Sequence, residues 1–148
     1  MRRIFSTAER KRLFLLQCDL LIEDLETSTI LIKNKKMRGA YIFLFNAMER
    51  LFDCFFISQG IKPSNRKERE EVMHEFFSFL VVNKFRELYY ERRGYMYEQP
   101  IIISKRELKN LLKFFLKMKE EIEKKLPSGW SFGERINKAI EELVNVIR

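Results

Sequence analysis

Histidine and tryptophan each occur once in this 148-residue chain, cysteine twice, proline three times and glycine five times, and each shortage removes a class of protein. One histidine and two cysteines, Cys18 and Cys54, show neither zinc-ligand spacing nor the density of a secreted disulfide scaffold. Scarce glycine and proline mean few tight turns, which argues against sandwiches, barrels and doubly wound sheets. No apolar run approaches the roughly 18 residues of a membrane span. The longest is Ala40 to Phe45, and Glu9 to Arg12 stand where the apolar core of a targeting signal would lie. A P-loop, a dinucleotide-binding glycine pattern and a nucleophile elbow are missing as well. No metal and no cofactor are expected, and the cytoplasm is the default compartment.

What remains is helical in character. Hydrophobic residues make up 46% and charged residues 34%, enough apolar surface for a core and too much for disorder. The expected class is all-α, an up-and-down bundle of five to six helices. One domain is expected over residues 1–148, with the bundle core over 7–126 and a capping helix over 131–147. Ser6-x-x-Glu9, Ser104-x-x-Glu107 and Ser131-x-x-Glu134 have the capping-box spacing. Helices are therefore expected over about 7–33, 37–59, 65–82, 85–93, 105–125 and 132–147. Leu13, Leu16, Leu20, Ile22, Leu25 and Ile32 form the broad apolar face of the first, and Val72, Phe76, Phe79 and Leu80 point inward from the third. The second helix, apolar on more than one side, is the central one. Gly94 is read as the stop of the fourth, with an irregular loop over 95–103. A turn centred near Lys36 places Cys18 opposite Cys54 and Arg50 near Glu23 and Asp24. Trp130 is expected to wedge the final turn against the bundle.

Lysine and arginine outnumber aspartate and glutamate by 29 to 21, a net charge of +8 that makes an anionic partner plausible. The excess is spread along the chain, so any basic surface must be assembled by folding. Arg92 and Arg93 beside Tyr95 and Tyr97 form the densest polar-aromatic cluster, suited to holding a phosphate and stacking a base. The same arginines also suit a helix C-terminus as pure punctuation. Arg106, Lys109, Lys113 and Lys117 form a basic ridge with no acid one turn before the lysines, so either a neighbouring helix or a phosphate offsets them, or the face is simply solvated. His74 follows Glu70 and Glu71 by one turn and is either a base oriented by carboxylates or part of a wet helix face.

From Met37 onward the chain resembles a known family. Arg38-Gly39-Ala40-Tyr41, Asn46-Ala47-Met48-Glu49-Arg50-Leu51 and Gly60-Ile61-Lys62-Pro63 resemble the second helix and following turn of HEPN domains. Arg92-Arg93-Gly94-Tyr95, then Ser104 and the Glu/Lys-rich fifth helix, are similar to the passage from a short fourth helix into a long last one. The resemblance covers residues 7–126. It implies a prokaryotic helical bundle that commonly dimerises. Many members are metal-independent ribonucleases or nucleotide-binding modules, often partnered with a minimal nucleotidyltransferase in toxin-antitoxin pairs.

Active members carry an Arg followed, after four to six residues, by a His. Here Arg92, with four intervening residues, reaches Tyr97, and no His lies downstream of either arginine. A phenol with a pKa of about 10 is a poor proton carrier at neutral pH. His74 would replace the missing group only if the fold or a dimer partner brought it close. The expectation is thus a weak or inactive relative that binds RNA or a nucleotide through Arg92, Arg93, Tyr95, Tyr97, Lys109, Lys113 and Lys117. The alternatives are a structural or oligomerisation module meeting a nucleotidyltransferase-type protein, and an active metal-independent ribonuclease toxin using Arg92 with Tyr97 or His74.

Overall fold

The computed structural model describes residues 1–97 and 102–148, apart from the side chains of Tyr95 and Tyr97. Within them the chain is an all-α bundle. Its helices are α1 (Thr7–Lys33), α2 (Met37–Ser58), α3 (Arg66–Phe76), α4 (Phe79–Tyr97), α5 (Lys105–Lys125) and α6 (Glu134–Ile147). Two short strands, β1 (Arg2–Arg3) and β2 (Ile61–Lys62), pair antiparallel. No described helix is long and apolar enough to cross a membrane.

The apolar excess of α2 decides the architecture. Ala40, Leu44, Met48, Phe52 and Phe56 are wholly buried, as are Tyr41, Phe45 and Phe55 around the same helix. Burial of each phenylalanine contributes roughly 1.5–3 kcal/mol, so every amphipathic neighbour gains by packing on α2. α1 lies along it as a hairpin, α5 and α4 pack on other sides, and α6 closes over α1 and α5. The hairpin has the expected register. Ser28 Oγ donates to the Ala40 carbonyl at 2.8 Å, Arg50 Nε donates to Asp24 at 2.5 Å, and the Cys18 and Cys54 thiols meet. Both cysteines are buried, and burial pushes the Cys54 thiol well above its ordinary pKa, which keeps it protonated and unreactive. Trp130 packs on Phe14 with ring centres 5.2 Å apart, and Lys11 sits over its ring.

The N-terminal residues, which carry no helical pattern, are tied down by the ribbon. The Ile4 amide donates to the Gly60 carbonyl at 2.9 Å, and Arg10 Nε donates to the Ile4 carbonyl at 2.6 Å. Gly60 has φ +80°, and a Cβ there would stand 2.8 Å from both the Ile4 oxygen and the Arg10 guanidinium carbon. Only glycine fits this crossing.

Four expectations need correction. The break between the third and fourth helices falls at Phe77-Ser78, well before residue 83. Phe77 turns extended so that its ring meets Phe52 and Phe55 edge-on at 5.2 and 5.4 Å, and Ser78 Oγ then accepts the Val81 amide as the cap of α4. Phe79 and Leu80 consequently point outward, 66% and 78% exposed. Gly94 does not stop the fourth helix, which runs on to Tyr97 in place of a loop from Tyr95. Arg38 from α2 donates to the Met96 carbonyl at 3.2 Å and Tyr41 donates to the Glu91 carboxylate at 2.7 Å, so contacts with α2 hold this last stretch helical.

The remaining two corrections concern α1 and α6. Of the expected face of α1, Leu13, Ile22, Leu25 and Ile32 are buried, whereas Leu16 is 48% exposed and Leu20 only half-buried, because Phe14, Cys18 and Leu21 complete the buried stripe in their place. Ser131 does not cap α6: the helix begins at Glu134 behind Gly133, at φ +85°, while Phe132 is buried against Phe14 as a loop anchor. Of the other two boxes, Ser104 and Glu107 close theirs reciprocally. Ser6 accepts the Glu9 amide at 3.3 Å, while the Glu9 carboxylate pairs with Arg2.

Candidate nucleic-acid interface

A polar stripe interrupts the greasiest helix of the bundle. Asn46, Glu49 and Asp53 lie three and four residues apart along α2, so they share one face, and α3 and α4 each bring an arginine to it. Arg92 of α4 donates through Nη1 to Asn46 at 2.8 Å and to Glu49 at 3.1 Å. Arg69 of α3 donates to the second Glu49 oxygen at 3.1 Å and grips both Asp53 oxygens, again at 3.1 Å. Glu49 is therefore shared by two guanidiniums. Burial raises the Glu49 pKa above its ordinary value although both arginines oppose the shift. Burial likewise disfavours the Arg69 charge, yet Asp53 and Glu49 outweigh it and hold its pKa above normal.

Arg92 is thus a structural cation first. Its guanidinium lies 4.7 Å from the Phe45 ring centre and 5.4 Å from Tyr89, stacked as well as paired. Its Nε is buried without a hydrogen-bond partner among the described residues. A second arginine, Arg66, lies over Tyr89 at 4.6 Å and pairs with Glu70 at 3.1 Å. Arg93, one residue on, points away from this seam. It is exposed, has no ion-pair partner among the described residues, and joins Tyr89, Arg92 and Met96 around a groove of about 440 Å³. The Tyr95 and Tyr97 side chains lie outside the described residues. His74, in the last turn of α3, is exposed and bonds to nothing described, and Arg92 is committed to α2.

The ridge on α5 has a different setting. Lys109, Lys113 and Lys117 are exposed, and among the described residues none has an acid partner, so no neighbouring helix offsets them. Lys113 and Lys117 instead face Lys84 of α4 across a groove of about 480 Å³ floored by Leu80, Val81 and Phe114. Lys109 belongs to a neighbouring apolar furrow with Leu112, Leu116, Val144 and Ile147. The fold therefore brings Arg92 and Arg93 to one groove and Lys113 and Lys117 to another, and His74 lines neither.

The chain matches no family model, no curated protein and no solved structure. Among the described residues no cluster of His, Cys, Asp or Glu has the arrangement of a metal site.

Sequence reading gave no role to Arg69, Asn46, Glu49, Asp53, Lys84 or Tyr89. A signal existed for the α2 trio: three polar residues on one side of an otherwise apolar helix must find partners when buried. Nothing local marks Arg69 as their partner. Among the other cations of α3 and α4, its surroundings are set by which helix packs on α2.

Proposed function

We propose that the protein is an HEPN-like helical bundle that binds RNA or a nucleotide, acts as a homodimer in the prokaryotic cytoplasm and is weak or inactive as a ribonuclease. The binding reading rests on one observation. While the largely buried Arg69 and Arg92 are paired, Arg93, Lys109, Lys113 and Lys117 are exposed, have no acid partner among the described residues and border grooves, leaving their charge for an anionic ligand. The inactive reading rests on the bonds of Arg92 to Asn46 and Glu49, and on Tyr97 standing where active relatives have a histidine. The exposed Phe79, which lines neither basic groove, favours the second reading, a module that meets a protein partner such as a minimal nucleotidyltransferase.

Binding of labelled single-stranded RNA followed by anisotropy across a salt series, with a denaturing gel in EDTA run alongside, tests this. Affinity that falls linearly on log-log axes with salt, without cleavage, is the expected result. Absent or salt-independent binding overturns the binding reading. Cleavage in EDTA that disappears in Arg92→Ala overturns the inactive one and makes the protein a metal-independent ribonuclease.

A further inference from the structure

The groove between the first turn of α4 and the middle of α5 combines features that the fold itself does not use. Three ammonium groups rim it. Lys113 and Lys117 have no acid partner among the described residues, and Lys84 reaches only the exposed Glu87, at 4.0 Å. Lys109, Lys113 and Lys117 repeat one turn apart, an arrangement that like-charge repulsion disfavours in the absence of a ligand. The apolar lining is the buried Val81 and Phe114 with Leu80 standing out beside them, at 78% exposure one of the most exposed large hydrophobic side chains described. Ser78 and Asn110 add neutral hydrogen-bonding groups at the margin. The positive end of the α4 dipole, at the Ser78 cap, adds to the same potential.

Charge, floor and size together select the occupant. A volume of about 480 Å³ falls within the range of sites for small ligands and suits one nucleotide unit. A second copy of this chain would bring the same cationic rim against itself. An amphipathic acidic helix needs an apolar track several turns long, whereas the floor here is Leu80, Val81 and Phe114 alone. We infer that this α4–α5 groove seats a nucleotide of single-stranded RNA, its phosphate held by Lys84, Lys113 and Lys117 and its base lying against Leu80, beside the buried Val81 and Phe114. The inference deepens the RNA-binding reading above and rests on it. It places the principal contact on the lysines, away from Arg92, whose charge is already engaged by α2.

The test compares Lys113→Ala/Lys117→Ala with a control of equal charge loss on other exposed positions, Lys124→Ala/Lys138→Ala, using a short labelled oligouridylate and the full chain. Circular dichroism checks the fold of each. Loss of at least tenfold in affinity is expected for the groove pair, and its log-log salt slope should fall by about 0.7 for each phosphate contact removed. The control should bind as the parent does. Leu80→Ser should weaken binding with the slope unchanged, since it removes only the base platform. Equal losses in groove and control variants overturn the groove in favour of diffuse charge. Parent binding that ignores the groove substitutions overturns the groove while the RNA-binding reading stands, and a parent that binds no RNA overturns both. Displacement of the oligomer by an equal concentration of uridine monophosphate overturns the strand as the source and makes the free nucleotide the ligand.

Discussion

Arg69 of α3 and Arg92 of α4 carry the same charge as Lys84 of α4 and Lys113 and Lys117 of α5, yet the fold treats the two sets in opposite ways. The arginines are about four-fifths buried, each shares Glu49, and Arg92 is stacked on aromatic rings as well. The lysines stand at a solvent-facing rim where, among the described residues, only Lys84 has an ion-pair partner, Glu87 at 4.0 Å. The guanidinium suits the first setting because its flat fork satisfies two acceptors at once and tolerates loss of water, while an ammonium is a strongly hydrated point charge. The contrast teaches that net charge says little about ligand binding until the structural cations have been set aside. What is left over, and left over in one place, is the informative part.

The largest break in this comparison should come from Arg69→Ala. It leaves Glu49 short of one partner and Asp53 of both its bonds in a half-buried seam, a loss of about 3–5 kcal/mol. Thermal unfolding should show a fall in Tm of roughly 10 °C, since about 1 kcal/mol moves Tm by 2–4 °C at this chain length. A Tm within a degree or so of the parent would mean that the seam does not hold α3 to α2.

A smaller effect, of informative sign, should come from pH. Because burial raises the Glu49 pKa, the folded chain binds this proton more tightly than the unfolded one. The stabilisation is complete below the ordinary value of 4.5 and is lost as pH rises through the raised, folded value. Denaturant unfolding of the parent and of Glu49→Gln should therefore give a stability difference that shifts toward the parent as pH falls from neutral toward 4.5. A difference that stays flat across that window would show that the two arginines cancel the cost of burial.

The smallest effect sharpens the other side. Lys113→Ala/Lys117→Ala should leave Tm unchanged or slightly higher, since it relieves repulsion along α5 and removes no described pair. A clear fall in Tm would make these lysines structural and erase the contrast.

Much of the bundle was legible before folding because its signals are local. The bounds of α1, α2 and α5 follow from apolar spacing, the Ser104 box and Gly60, and the hairpin register follows from turn position, which set Cys18 against Cys54 and Arg50 beside Asp24. The α3–α4 boundary was not legible. Phe76, Phe77, Phe79, Leu80, Val81 and Val82 all read as apolar, and only the rings of Phe52 and Phe55 on α2 select Phe77 to turn inward while Phe79 and Leu80 are left outside. The candidate site divides similarly. The α5 ridge was visible as a repeat, whereas Lys84 joined it only through the packing of α4.

By itself the sequence determined the helical class, the central place of α2 and the excess of basic charge, because composition and periodicity act within one or two turns of the chain. Tertiary structure decided which cations were consumed. Arg92 and Arg69 met carboxylates on α2 from 43 and 20 residues away in sequence, and Lys84 met Lys113 and Lys117 across a groove between two helices. Partner choice depends on distance in space and on lost water, and neither exists until the helices have packed.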